Sequence, residues 1–222
     1  MVLHELESDR EIDLNSCRSM YIEKPYNRVM ECKYSLPISP NYLFLNGIKM
    51  INPFSNNPFL FFEKNFKEII PSNFKIIHGD PTISNILINS EETYLIDPRG
   101  KFGDSFIYGD PYYDISKFYY SVCGGYELIN KNKFILTQQN QTSFAISPWP
   151  LSSISTLAFD VFCDMFNPSE IDRIKRIESL IWLSLTGYVK DSYDAMLASF
   201  LIGLYKIQPF LKSDSILERS VK

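Results

Sequence analysis

The chain has 222 residues, of which 45% are hydrophobic and 15% aromatic, enough apolar mass for a substantial core and an argument against wholesale disorder. A formal net charge of −4 argues against a general nucleic-acid binder, because neutralising phosphates takes a basic surface, but it leaves room for a local anion site. The four scattered cysteines, Cys17, Cys32, Cys123 and Cys163, contain no C-x-x-C pair and argue against both structural zinc and a disulfide framework.

The length suits one domain spanning 1–222. The N-terminus has no secretory pattern, and the most apolar stretch, "AMLASFLIGLY" (195–205), is too short to cross a bilayer. No membrane span, no nucleic-acid partner and a cytoplasmic location are therefore expected.

In chain order, residues 1–72 are irregular, because Pro25, Pro37, Pro40, Pro53, Pro58 and Pro71 interrupt any long helix. Short helices are expected at roughly 1–12, 25–34 and 59–69, the last because "FLFFEKNFKEII" spaces apolar residues along one helical face. Residues 74–100 read as β, with "FKIIHG" and "NILIN" as strands, "SEET" as a polar turn and "YLID" as the return.

Residues 110–222 read as helical. Asp110 is a natural N-cap, Pro111 suits the first helical position, and Gly124-Gly125 can end that helix. Over 152–166, Ile154, Leu157, Ala158, Val161, Phe162 and Met165 share one face. "NPSE" then starts another helix with Asn167 as cap and Glu170 three residues on, and a last helix is expected over about 191–207. The fold class is α+β, mostly helical, with a small hairpin region.

The chemistry concentrates in "HGDPTISNILINSEETYLIDPRG" (78–100). His78, Asp80, Asn85 and Asp97 either form two polar turns that flank a hairpin or meet at a charged site. Paired strands bring their outer ends together, so Asn85 and Asp97 can converge on a hard divalent cation such as Mg²⁺. Asp80 is then free to orient a hydroxyl and accept its proton, while His78 pins the loop by hydrogen bonding.

His78-Gly79-Asp80-Pro81-Thr82-Ile83-Ser84-Asn85 has the spacing of the protein-kinase catalytic loop. With Gly after the His, Ile96-Asp97 downstream and "GDPYYDISKF" (109–118), the chain resembles the aminoglycoside phosphotransferase and choline kinase group. It looks most like the phosphotransferase-like domain of bacterial capsule and surface-polysaccharide biosynthesis proteins. The specific motifs cover about 78–126, with a fainter echo at "YLFLNGI" (42–48).

That resemblance implies a kinase-like C-terminal lobe in which Asp80 is the catalytic base and Asn85 and Asp97 bind Mg²⁺. It also implies that Asp110 and Asp114 brace the catalytic loop, that ATP or another nucleoside triphosphate is the donor, and that a small hydroxylated molecule is the acceptor. Arg99 becomes a candidate contact to substrate or phosphate. Gly100 lies three residues after Asp97 instead of two, so the turn need not copy the kinase switch.

The nucleotide end departs further. Only Gly47 precedes Gly79, so no Gly-rich phosphate loop lies upstream, and Lys24, Lys33 and Lys49 lack a convincing strand context. The N-terminal lobe is expected to be absent: either it is lost, or a separate domain or chain completes the nucleotide site, or the donor is bound in another way.

The leading function is thus an ATP- and Mg²⁺-dependent phosphotransferase acting on a hydroxyl of a sugar or related small molecule. The alternative is a catalytically inactive binding or scaffold module. A phosphoesterase is disfavoured, because two His and scattered Asp make a poor two-metal site. The run Tyr112, Tyr113, Phe118, Tyr119, Tyr120 is expected to be packing, His4 and "DRIKRIE" (172–178) to be solvated, and Cys123 to lack a partner that would activate it.

Overall fold

A computed structural model describes Glu5, residues 10–149 and residues 155–211. The chain enters a helical stretch made of α1 (Leu14–Arg18), a π-helical turn over Ser19–Glu23, and α2 (Lys24–Glu31). Asp13 caps it by accepting the Asn15 N–H at 3.0 Å. The wide turn falls just before Pro25, which has no N–H to continue the ladder. The helix expected over 25–34 is therefore the second half of a longer one. Of the helix expected over 1–12, residues 10–12 are not helical and Arg10 bridges to Phe74, while the remainder except Glu5 lies outside the described residues.

Strands β1 (Tyr42–Leu45) and β2 (Ile48–Ile51) correct the reading of 1–72 as helices and loops. Asn46-Gly47 forms their two-residue turn, with φ of 49° and 79°, a dipeptide suited to two left-handed residues. Lys49 therefore does lie in a strand, but its ammonium sits over the exposed ring of Tyr42. Helix α3 (Pro58–Lys67) follows, capped by Asn57, whose side chain accepts the Leu60 N–H.

Strand β3 (Lys75–Ile76) does not join the hairpin that follows it. The hairpin is β4 (Ile86–Ile88) with β5 (Thr93–Leu95), whereas β3 pairs with β6 (Tyr108–Gly109). That pairing sets the loop after β3 against the start of α4 (Pro111–Val122). Asp110 caps α4 by accepting the Tyr112 N–H at 2.8 Å. Gly124 and Gly125 close the helix, and α5 (Tyr126–Asn130) follows.

The region expected to be helical after 110 also contains strands β7 (Ile135–Gln138) and β8 (Ser143–Ser147). They complete a four-stranded sheet in the order β2-β1-β8-β7, with β1 and β8 parallel. The alternation in "SFAIS", where Phe144 and Ile146 are buried, is the local signal for β8.

Three helices end the described chain: α6 (Ser155–Met165), α7 (Pro168–Tyr188) and α8 (Tyr193–Leu211). Asn167 and Glu170 form the expected capping box. The molecule is thus α+β, and none of its described helices is long and apolar enough to cross a membrane.

Helix α7 is the spine of the core. Ile174, Ile177, Trp182 and Leu183 are buried along it, α8 covers one side with Leu197, Phe200, Leu201 and Leu204, and Trp182 meets Tyr120 edge-on. Gly187 lets α2 approach closely, since a Cβ there would lie 2.6 Å from the Arg28 carbonyl oxygen.

The apolar face expected on α6 is buried only in part: Phe162 turns inward, Leu157, Val161 and Met165 are exposed, and Ile154 lies outside the described residues. Nor is the charged run 172–178 simply solvated, because Arg173 binds buried Asp110 and Glu178 is buried against Lys206. Arg176 donates to Asn65 as well, so part of the run holds the helices together. His4 is outside the described residues.

Candidate active site

The loop after β3 is held by one carboxylate from α4. Asp114 is fully buried, and its two oxygens accept the backbone N–H groups of His78 at 2.7 Å and Gly79 at 2.8 Å. Taking both N–H groups into one carboxylate satisfies donors that would otherwise be stranded in the core. Gly79 has a left-handed φ of 84°, and an added Cβ would press on Arg99 Cβ at 3.0 Å.

Asp110 does not touch that loop. It accepts the Tyr21 hydroxyl at 2.7 Å and pairs with Arg173 at 3.0 Å, joining the N-terminal helices to α7 at the foot of α4. Burial raises the Asp110 carboxyl above its ordinary value despite the partial compensation from Arg173 and Tyr21.

His78 ties the loop to the end of the hairpin. The Asp80 N–H points to its Nδ1 at 3.3 Å and its Nε2 lies 2.9 Å from the Ile96 carbonyl oxygen. A ring that accepts at Nδ1 carries its proton on Nε2 and donates it to Ile96. The Arg99 N–H closes a second link by donating to the His78 carbonyl at 2.8 Å.

Asp80 emerges from this frame half-buried. Lys117 Nζ lies 2.9 Å from its Oδ1, close enough for an ion pair but without the alignment of a directed hydrogen bond. Arg99 is 3.8 Å from Oδ2. Burial pushes the carboxyl up, but Lys117 and Arg99 outweigh it and hold the group below the usual carboxylate value. Asp80 is therefore an ionised acceptor at neutral pH.

The hairpin brings Asn85 and Asp97 to one end. The Ile96 N–H donates to the Asn85 carbonyl at 2.9 Å, continuing the β4–β5 register outward. Asn85 Nδ2 donates to the Asp80 carbonyl at 2.9 Å, leaving its amide oxygen for another partner. Asp97 is exposed and left-handed at φ 55°, a conformation Asp tolerates better than most residues. Among the described residues, no cluster of three or more His, Cys, Asp or Glu could hold a metal. One carboxylate and one amide oxygen fit Mg²⁺, which completes its shell with water and substrate phosphates, and do not fit zinc.

On its other side Asp80 opens into a cavity of about 330 Å³ lined by Lys24, Arg28, Arg99 and Lys117. Tyr113, Tyr120, Tyr126 and Tyr188 form much of its wall, and Ser184 of α7 supplies a hydroxyl. The aromatic run of α4 is thus core on most of its surface but cavity wall at Tyr113 and Tyr120. A larger cavity of about 440 Å³, between Tyr119 and Phe210, does not include Asp80.

Sequence reading missed Lys117 and Arg28. Each carried a faint signal, for Lys117 follows Asp114 by three positions and Arg28 follows Lys24 by four, spacings that share a helical face. The Cys123 thiol is pushed up to about 12 by burial and by Glu178, so it remains protonated and unreactive. Comparison with family models, curated proteins and solved structures finds no match for this chain.

Proposed function

We propose that the protein is a kinase-like phosphotransferase lobe that moves a phosphoryl group from a nucleoside triphosphate, ATP in the simplest case, to a hydroxyl of a small molecule. The observation that carries the reading is the ionised Asp80 on a loop braced by Asp114, beside a hairpin that gathers Asn85 and Asp97. The acceptor hydroxyl would lie against Asp80, which takes its proton as the oxygen attacks the terminal phosphorus and the diphosphate leaves. Asn85 and Asp97 would hold Mg²⁺, whose charge offsets that of the donor phosphates. Lys117 keeps Asp80 ionised, and His78 holds the loop against the hairpin.

A sugar as acceptor, and a place in capsule or surface-polysaccharide assembly, rest on the motif resemblance alone. The test is Mg²⁺-dependent nucleotide turnover with a panel of sugars. Asp80→Asn is expected to cut the rate by about 10²- to 10⁴-fold, the range of a positioned base. A variant that keeps the full rate, or a wild type without turnover, overturns the reading.

The second reading, a binding module without turnover, draws on the exposed hairpin. Leu87, Ile88 and Tyr94 face solvent there, so a donor would need a cover contributed from elsewhere. Calorimetry separates the two: no Mg²⁺-nucleotide binding favours the module, and micromolar binding counts against it.

A further inference from the structure

The cavity beside Asp80 has the wrong charge to be left alone. Four cations, Lys24, Arg28, Arg99 and Lys117, line it against a single carboxylate, in a chain whose net charge is −4. Lys117 and Arg99 share Asp80. Among the described residues, Lys24 makes a long contact to the Met20 sulfur at 4.0 Å and Arg28 a 3.4 Å bond to the Gly187 carbonyl, and neither pairs with a carboxylate.

Such crowding is costly. Burial, followed by repulsion from Arg99, Lys117 and Arg28, pushes Lys24 down to about 7. An anion placed among these groups would relieve the repulsion and regain charge-assisted hydrogen bonds, and the Arg28 and Arg99 forks suit two-oxygen anionic groups. The volume suits a molecule of monosaccharide size, and the tyrosine faces and hydroxyls suit its ring. Neither Asn85 nor Asp97 lines the cavity, so it lies apart from the residues assigned to the metal.

We propose that this cavity is the acceptor subsite and that the acceptor is an anionic monosaccharide, a sugar bearing a phosphate or carboxylate held by Lys24 and Arg28 with one hydroxyl at Asp80. The proposal rests on the phosphotransferase reading for the hydroxyl's fate: its oxygen bonds the terminal phosphorus of the nucleoside triphosphate, its proton goes to Asp80, and the nucleoside diphosphate leaves. The anion site stands on geometry independent of turnover.

The test is calorimetry on the full chain without nucleotide, using glucose 6-phosphate, glucuronate, inorganic phosphate and uncharged glucose. At least one anionic sugar is expected to bind about tenfold or more tightly than glucose, and comparison of the two shows which anionic group is preferred. Arg28→Gln and Lys24→Gln are each expected to weaken that binding about tenfold, with thermal unfolding confirming that each variant folds. Asp80→Asn removes the one competing carboxylate, so it should bind the anion at least as well as wild type while losing turnover. Equal binding of glucose and the anions, binding of none, or anion binding unchanged in both cation variants overturns the subsite. Anion binding with no Mg²⁺-nucleotide turnover keeps the subsite and sinks the phosphotransferase reading, whereas turnover on neutral sugars alone does the reverse.

Discussion

The two sides of Asp80 are built differently. Toward α2, α4 and α7 the carboxylate meets a walled cavity most of whose groups come from helices, Lys24 and Arg28 on α2, Lys117 on α4 and Ser184 on α7, with Arg99 added from the loop after β5. Toward the hairpin the Asp80 backbone carbonyl accepts from Asn85, and Asp97 sits at the same end of a two-stranded element with Leu87, Ile88 and Tyr94 in solvent. Isolated hairpins are marginal in water, and this one is held at its base by His78 and the Arg99 backbone. The contrast separates a finished pocket from a platform that still offers surface. The proposed transfer reaction would use both, one to fix the acceptor and the other to receive a donor.

The comparison breaks most severely at the element the two sides share. Asp114→Ala strands the His78 and Gly79 N–H groups in the core and is expected to cost about 3 kcal/mol or more by urea unfolding. A loss below 1 kcal/mol would mean that Asp114 is not what holds the loop.

The walled side is sharpened by pH. Burial, with Arg99, Lys117 and Arg28 nearby and Asp80 opposing, pushes Lys24 down to about 7, and an anion prefers its protonated form. Glucuronate, whose own charge is constant over this interval, should therefore bind best below pH 7 and weaken by about tenfold toward pH 9. Lys24→Gln is expected to flatten the slope. A wild-type affinity that is level across the interval would show that Lys24 does not meet the anion.

On the platform side the smallest effect is expected. Ile88 is 76% exposed, so Ile88→Lys should change unfolding free energy by less than about 0.5 kcal/mol. A loss of 2 kcal/mol would mean that this face is packed in the folded protein, and the contrast between the two sides would fall.

Several features were legible because their causes are local. Asp110 and Asn167 cap the helices they precede, and "SEET" turns the hairpin, since caps and turns are made by residues a few positions apart. The strands β7 and β8 were not legible in the same way. Strand β8 finds its parallel partner in β1, about a hundred residues upstream, as the Phe44↔Ser143 pairing shows, and β7 joins the sheet only through β8, which nothing in "FILTQ" announces. The inward turn of Arg173 was hidden for the same reason, because its partner Asp110 lies on another helix's start.

The sequence by itself determined the order of the acidic loop, its His, its hairpin and the α4 cap, all set by short-range spacing and backbone preference. Only the tertiary structure decided that Lys24, Arg28, Asp80, Arg99 and Lys117 share one cavity. These residues come from three separate parts of the chain, and the close crossing of α2 over α7 at Gly187 brings Arg28 into place. None of those parts carries charge at that density by itself; it arises where the packed elements meet, and Asp80 offsets part of it through Lys117 and Arg99.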